Sequence, residues 1–211
     1  MKKYILWDND GVLVDTEFWY FKATQRALAE LGIALEKEAY LHRMVHGLSS
    51  WDLALGAGID SHTVTIKRAQ RDMYYREYLA REDIEIPGVR EVLEALAATR
   101  KMAIVTTSTR THFDLIHANR DLVRHMEFVL TREDYGASKP HPEPYLLSLR
   151  KFGAKAENAL VIEDSQRGLQ AALAAGIDCI VVYNEFTSSH DFTGANHLLN
   201  SIGELPGIID V

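Results

Sequence analysis

Hydrophobic positions fall into two regimes along this chain. Before residue 8 and again beyond residue 100, short continuous apolar runs alternate with stretches whose apolar residues recur every three or four positions; between about residues 16 and 82 only the second pattern occurs. Continuous runs bounded by polar turns are the mark of strands buried on both faces, and the 3.6-residue period marks amphipathic helices. Five strands are predicted: Tyr4 to Trp7, Met102 to Val105, Phe128 to Leu130, Ala159 to Ile162 and Cys179 to Val182. Between them lie helical patterns. One carries Val89, Val92, Leu93 and Leu96 after the Pro87-Gly88 break, and a second runs from Arg110 to Ala118. A third runs from Pro144 to Lys151 with a proline in its first turn, and a fourth from Leu169 to Ala175 is closed by Gly176. Strands separated by helices of this length describe βαβ units, hence an α/β fold: a Rossmann-like three-layer core with a mostly parallel sheet.

The middle stretch reads as an all-helical insertion. Phe21, Ala27, Leu28 and Leu31 give a helix from Phe18 stopped by Gly32, with Asp15 or Thr16 placed to cap it. Shorter patterns follow from Glu38 to Val45 and from Trp51 to about Ala57, the latter with Ser49 or Ser50 as cap. A long charged helix then runs from Ser61 to Arg81, with Val64, Met73, Tyr74, Tyr78 and Leu79 facing inward. The expected organisation is a catalytic core of residues 1–15 and 83–211, carrying a helical cap of residues 16–82. The tail from Thr187 is weakly patterned.

Composition narrows the function classes. The chain of 211 residues is 47% hydrophobic and 25% charged, ordinary for one globular domain with an insertion. A net charge of −7 argues against nucleic acid or an anionic membrane as the main partner, while leaving room for a locally positive site. The apolar run before Asp8 is too short for a signal peptide, and no stretch of eighteen uncharged apolar residues exists. Cys179, the single cysteine, lies in a strand-like run and reads as core, which suits a reducing cytoplasm.

The chemistry gathers at strand ends. The first strand runs into Asp8-Asn9-Asp10-Gly11, the second into Thr106 and Thr107, the third leads to the loop ending in Lys139, and the fourth ends in Glu163-Asp164. Sheets of this kind bind ligands at the carboxyl ends of their strands. Two like charges at one strand end are costly unless a cation sits among them. Asp8, Asp10, Asp164 and Glu163 suit a hard cation with oxygen ligands, and Mg²⁺ is the default. His42 and His46 are spaced as a metal pair, but a zinc-protease helix needs a glutamate directly after its first histidine, where Arg43 stands. With a cation fixed, one carboxylate can attack phosphorus, and Asp10 is placed to protonate the leaving oxygen and later to activate water. Thr106, Lys139 and backbone amides after Asp8 and Thr106 are donors for the charge that develops on the equatorial oxygens. Phosphate-monoester hydrolysis needs accelerations of up to ~10²¹, which an electrostatic site of this kind serves. No glycine-rich nucleotide loop or nucleophile-elbow serine is present, and Ser108 and Ser165 read as caps or supporting donors.

Asp8-Asn9-Asp10-Gly11-Val12-Leu13-Val14-Asp15-Thr16-Glu17, Thr106, Ser138-Lys139-Pro140 and Glu163-Asp164-Ser165 together resemble, in order, the four motifs of the haloacid dehalogenase-like hydrolase superfamily. The closest branch is the one with a helical cap, which contains phosphoglycolate phosphatases, sugar-phosphate phosphatases and β-phosphoglucomutases. The resemblance implies Asp8 as nucleophile, forming an aspartyl-phosphate, and Asp10 as general acid/base. It implies phosphate contacts from Gly11, Thr106, Thr107 and Lys139. Mg²⁺ would be held by Asp8, the backbone carbonyl of Asp10 and Asp164, with Glu163 a direct or water-mediated neighbour. Residues 11–16 and the stretch before Pro87 would be the hinges of a mobile cap, whose Glu17, Tyr20, Gly47, Ser49 and Ser50 are candidates to read the leaving group. True dehalogenases and phosphonatases lack the second aspartate, so Asp10 argues for phosphoryl transfer. The mutases carry a cap histidine and an arginine that grips a second phosphate; Tyr20 and Ser50 stand at the matching positions, and a serine cannot replace that bidentate clamp. The expectation is therefore a cytoplasmic, Mg²⁺-dependent phosphatase for a small phosphorylated sugar or sugar acid, with no obligate protein partner. A β-phosphoglucomutase-like transferase and a catalytically silent binding protein are the rival readings.

Overall fold

A computed structural model describes residues 2–46 and 48–209. The strands are β1 (Tyr4–Trp7), β2 (Lys101–Val105), β3 (Met126–Leu130), β4 (Ala159–Glu163), β5 (Asp178–Val182) and β6 (His197–Leu199). They form one sheet in the order β3-β2-β1-β4-β5-β6, and every neighbouring pair is parallel. The first strand in sequence therefore lies inside the sheet, with β2 and β4 on either side. The five strands predicted from apolar runs are all present. The sixth lies in the weakly patterned tail, where only Leu199 of its three residues is buried.

Two compact units divide the chain: one made of the residues up to Asp15 together with those from Glu85 onward, the other Thr16–Ile84. The first holds the sheet. Leu6, Ala103, Val105, Val161, Cys179 and Val181 share one buried cluster with Tyr145 and Leu149 of α7 (Glu143–Phe152) and Leu169 and Ala172 of α8 (Gln166–Ala174). Their strand neighbours Ile5, Trp7, Met102, Ile104, Ile162 and Ile180 are also buried, as two-sided coverage requires. The same unit contains α5 (Val89–Ala97), with Val89, Val92, Leu93 and Leu96 buried as one stripe, and α6 (Arg110–His117). The short α9 (Pro206–Ile209) closes the described chain.

The second unit is helical: α1 (Glu17–Ala29), α2 (Lys37–Val45), α3 (Asp52–Gly56) and α4 (Ser61–Arg81). Asp60 caps α4 by accepting from the His62 and Thr63 amides, and α1 packs along α4. The buried residues of α4 are Val64, Tyr74, Tyr75 and Leu79. Met73, expected to face inward, is instead exposed, and Tyr75 takes its place. The reason is angular: at 100° per residue, position 75 lies almost directly above 64 and 79, whereas 73 points to the far side. Ser49 and Ser50 do not cap α3, whose N-cap is Trp51; Ser49 Oγ accepts from the Trp51 amide at 3.2 Å. Among the described residues no helix is long and apolar enough to cross a membrane.

Candidate active site

β1 delivers its carboxylates through a tight turn. The Asn9 carbonyl accepts from the amides of Val12, Leu13 and Val14, and the Gly11 amide donates to the Val14 carbonyl. Gly11 adopts φ of 87°, and a Cβ there would stand 2.1 Å from Asp164 Oδ2. Only glycine gives the chain both that dihedral and that proximity. The strand ends of β1 and β4, neighbours in the sheet, are thereby brought against each other.

Asp8, Lys139, Glu163 and Asp164 are all buried. Lys139 Nζ donates to Asp8 Oδ1 (2.6 Å), Glu163 Oε1 (2.7 Å) and the Val105 carbonyl (2.8 Å). Its three donors thus tie β1, β2 and β4 together. Oxygens of Asp8, Glu163 and Asp164 lie within 4.8 Å of one another. Burial pushes the Asp8 carboxyl up to about 7, with Glu163 and Asp10 adding to the rise and Lys139 opposing it. Asp164 is raised well above the usual range, by burial first and then by Glu163 and Asp8. Burial also works against Glu163, but Lys139, Tyr145 and the Ser165 amide outweigh it and hold that carboxyl low. The pair Lys139–Glu163 is therefore ionised, and the upward shifts of Asp8 and Asp164 show that no second positive charge is at hand to stabilise their ionised forms. A donor set of buried carboxylates short of positive charge fits a hard divalent cation.

Asp10 points into a different set of donors. Its Oδ2 accepts from Ser108 Oγ (2.8 Å), Thr106 Oγ1 (3.1 Å) and Asn9 Nδ2 (3.4 Å). Thr106 is held from behind by Tyr135, whose hydroxyl donates to the Thr106 carbonyl at 2.7 Å, and its own Oγ1 accepts from the Ser108 amide. Thr107 is half-buried in the bend that follows β2. Asp8, Asp10, Gly11, Thr106, Lys139, Glu163 and Asp164 thus share the carboxyl edge of the sheet.

Several supporting residues have no counterpart in the motif reading. Tyr145 of α7 donates to Glu163 Oε1 at 2.7 Å, beside the donors that the motif itself supplies to Glu163 Oε2, Ser165 Oγ at 3.1 Å and the Asp164 amide at 3.2 Å. Glu143, in the first turn of α7, accepts from the amides of Gly136 and Ala137 and so shapes the loop leading to Lys139. Asn184, just past β5, donates to Asp164 Oδ2 at 2.9 Å. His117 Nε2 meets Asn9 Oδ1 at 2.8 Å. Asn184 carried a usable signal, a polar residue just past the end of the fifth strand. Tyr145 and His117 carried none, since each sits in a helix where an apolar-looking position is expected to be core.

The helical unit, described by itself, holds the remaining candidates. The Glu17 carboxylate accepts from the Tyr40 hydroxyl. The Arg71 guanidinium lies 4.2 Å from the Tyr20 ring centroid. A cavity of about 210 Å³ is lined by residues including Tyr20, Tyr40, Ser49, Ser50, Trp51 and Arg71. Glu17 adjoins that lining through Tyr40. Gly47 lies outside the described residues. The His42 and His46 rings lie 4.4 Å apart and tilted, both residues exposed.

Known proteins resemble the chain over most of its length. Protein CbbY (plasmid) of Cupriavidus necator is 30% identical over 217 residues, covering 95% of this chain and 85% of its own. The phosphorylated carbohydrates phosphatase of Thermotoga maritima is 32% identical over 183 residues, covering 83% of this chain and 82% of its own. Among solved structures, a variant of CbbY from Rhodobacter sphaeroides in complex with xylulose-(1,5)bisphosphate aligns with TM-score 0.77 at 25% identity, over 97% of this chain and 96% of that one. A haloacid dehalogenase-like protein from Agrobacterium tumefaciens aligns with TM-score 0.79 at 26% identity, over 100% and 98%. The sequence profile of the haloacid dehalogenase-like hydrolases matches residues 5–182, from the second residue of β1 to the last of β5. The chain belongs to that family.

Proposed function

We propose that this hydrolase is a Mg²⁺-dependent phosphatase of a small phosphorylated sugar or sugar acid, acting in the cytoplasm through an aspartyl-phosphate on Asp8. The observation that carries the reading is the buried trio of Asp8, Glu163 and Asp164 with a single ammonium, Lys139, among them. In this reading Asp8, Asp164 and the main-chain carbonyl of Asp10 would hold the cation, and Glu163, whose oxygens already accept from Lys139, Tyr145 and Ser165, would stand beside it. Bound there, Mg²⁺ supplies the positive charge that lets an anionic carboxylate approach an anionic ester.

The residues divide the work. Lys139 holds Asp8 Oδ1 at 2.6 Å, fixing the carboxylate for attack on phosphorus. As the bond from Asp8 to phosphorus forms, the ester bond breaks, and Asp10 gives a proton to the departing oxygen. Asp10 then takes a proton from water as that water attacks the same phosphorus, releasing inorganic phosphate and restoring Asp8. Gly11, Thr106 and Thr107 line the path of the phosphoryl oxygens. Residues 16–82 act as the cap, and Glu17, Ser49 and Ser50 select the leaving group. The relative named a phosphorylated carbohydrates phosphatase supports a sugar phosphate as substrate. Ser50, where the mutases carry an arginine, disfavours a retained bisphosphate and hence mutation.

The test is a panel of phosphorylated metabolites and p-nitrophenyl phosphate, assayed with Mg²⁺ and with chelator. Turnover is expected only with the metal, and Asp8→Asn is expected to abolish it while leaving the circular dichroism spectrum unchanged. Activity surviving in Asp8→Asn overturns the assignment of the nucleophile.

A further inference from the structure

One buried polar pair beside the site hydrogen-bonds to neither Lys139 nor the carboxylates of Asp8, Glu163 and Asp164. His117 ends α6 and Asn9 sits between the two aspartates, and both are buried, Asn9 completely. Their side chains meet at 2.8 Å across 108 positions of sequence. The other imidazole nitrogen, Nδ1, is buried without a hydrogen-bond partner among the described residues. An orphaned buried acceptor costs stability, and a phenylalanine packed against Phe113 as His117 is (4.4 Å between ring centroids) would remove it only by leaving the buried Asn9 Oδ1 without this partner. The pair therefore needs a reason to be there.

The hydrogen-bond roles supply one. Asn9 Nδ2 lies 3.4 Å from Asp10 Oδ2, an oxygen that also accepts from Thr106 Oγ1 and Ser108 Oγ. The amide must therefore turn its NH₂ toward Asp10 and its oxygen toward His117, which requires the proton of the imidazole to sit on Nε2. The flipped amide would set two acceptors against each other and leave an Nδ1 proton buried with no acceptor. Burial pushes His117 down to about 4, so at neutral pH it is the uncharged donor this assignment needs.

We propose that His117 is a positioning residue: through Asn9 it fixes the orientation of the Asp10 carboxylate. With Asn9, Thr106 and Ser108 all donating to Oδ2, the proton exchanged with the leaving group is carried on Oδ1. This inference rests on the acid/base role proposed for Asp10 above. It makes Asn9 more than a spacer in the Asp8-Asn9-Asp10 turn, and it couples α6 to the first strand end.

A double-mutant cycle tests it, using His117→Phe, Asn9→Leu and their combination in the full chain. With an alkyl phosphate, whose departing oxygen needs a proton, each single variant is expected to lose roughly tenfold to hundredfold in kcat at little change in KM, a part of the ~10²–10⁴ that general acid catalysis contributes. The double variant is expected to lose no more than either single one, because His117 acts only through Asn9. His117→Gln, which keeps a donor, is expected to recover part of the loss. With 2,4-dinitrophenyl phosphate, whose leaving group needs no proton, the burst of phenolate is expected to keep its rate. Losses that multiply, or a burst slowed as much as alkyl-ester turnover, overturn the proposal. An independent readout stands if Asn9→Leu fails to fold: the ring ¹⁵N shifts of His117 in the wild-type chain are expected to report the Nε2–H tautomer, and an Nδ1–H tautomer overturns the assignment. Wild-type protein that hydrolyses no phosphate at all ends the phosphatase reading and this one together; wild-type turnover with multiplying losses ends only this one.

Discussion

Glu163 is a carboxylate whose position is set by an absence. A Cβ on Gly168, in the first turn of α8, would fall 1.8 Å from the Glu163 carboxyl group. The bare glycine thus makes the space in which Glu163 meets Lys139, Tyr145 and Ser165. Gly168→Ala, harmless to a helix by propensity, is predicted to displace that carboxylate and to cost most of the activity together with about 1–3 kcal/mol of stability, the usual cost of overpacking. Denaturant unfolding and turnover of an aryl phosphate measure both; an alanine variant as active as the wild type contradicts the role given to Glu163. His117 adds a pH dependence. Its folded pKa, about 4, lies below the ordinary 6.5, so its contribution to stability is complete above about 6.5 and is lost as pH falls through about 4. The shift corresponds to about 3 kcal/mol. His117→Phe is predicted to flatten the stability curve over that interval relative to the wild type.

At the scale of elements, the site is made by where strands stop. β1 and β2 run directly into Asp8 and Thr106 and β4 closes on Glu163, and parallel pairing in register brings those ends to one edge. This was legible in the sequence because each apolar run changes abruptly to carboxylate or hydroxyl. α7 contributes from outside that pattern, with Glu143 shaping the loop before Lys139 and Tyr145 reaching Glu163. Tyr145 reads as an apolar helix position, and nothing local shows that its hydroxyl finds a carboxylate 18 residues away. Removing only that hydroxyl with Tyr145→Phe is predicted to lower kcat several-fold and to cost about 1–2 kcal/mol, since Glu163 loses one of the donors that keep it ionised. Unchanged kcat contradicts the linkage from α7 to Lys139. β6 escaped detection for a related reason: a three-residue edge strand with one buried side chain has too little pattern to rise above a loop. Met73 failed differently, because in a charged helix five candidate residues at imperfect spacing do not fix which face is buried.

The whole molecule carries a formal net charge of −7, and three of its carboxyl groups are buried together at the site. Raising a carboxyl's folded pKa above its unfolded value means that its favourable contribution is complete below the unfolded value and disappears as pH rises through the folded one. For Asp8 that window runs from 3.8 to about 7, and Asp164 shifts in the same direction. The metal-free protein is therefore predicted to lose stability across that window, and a bound cation to restore it. The rise in Tm on adding Mg²⁺ should be larger near pH 8 than near pH 5; an equal rise at both contradicts a cation held by these two aspartates. The central claim is that Asp8 itself accepts the phosphoryl group. Quenching the enzyme during turnover, reducing with borohydride and sequencing the N-terminal peptide by mass spectrometry tests it directly, because an acyl phosphate is reduced to an alcohol whereas a free carboxylate is not. Conversion to homoserine at position 8, dependent on both substrate and Mg²⁺, is the predicted result. Turnover with position 8 unmodified, or reduction at another carboxylate, would contradict it.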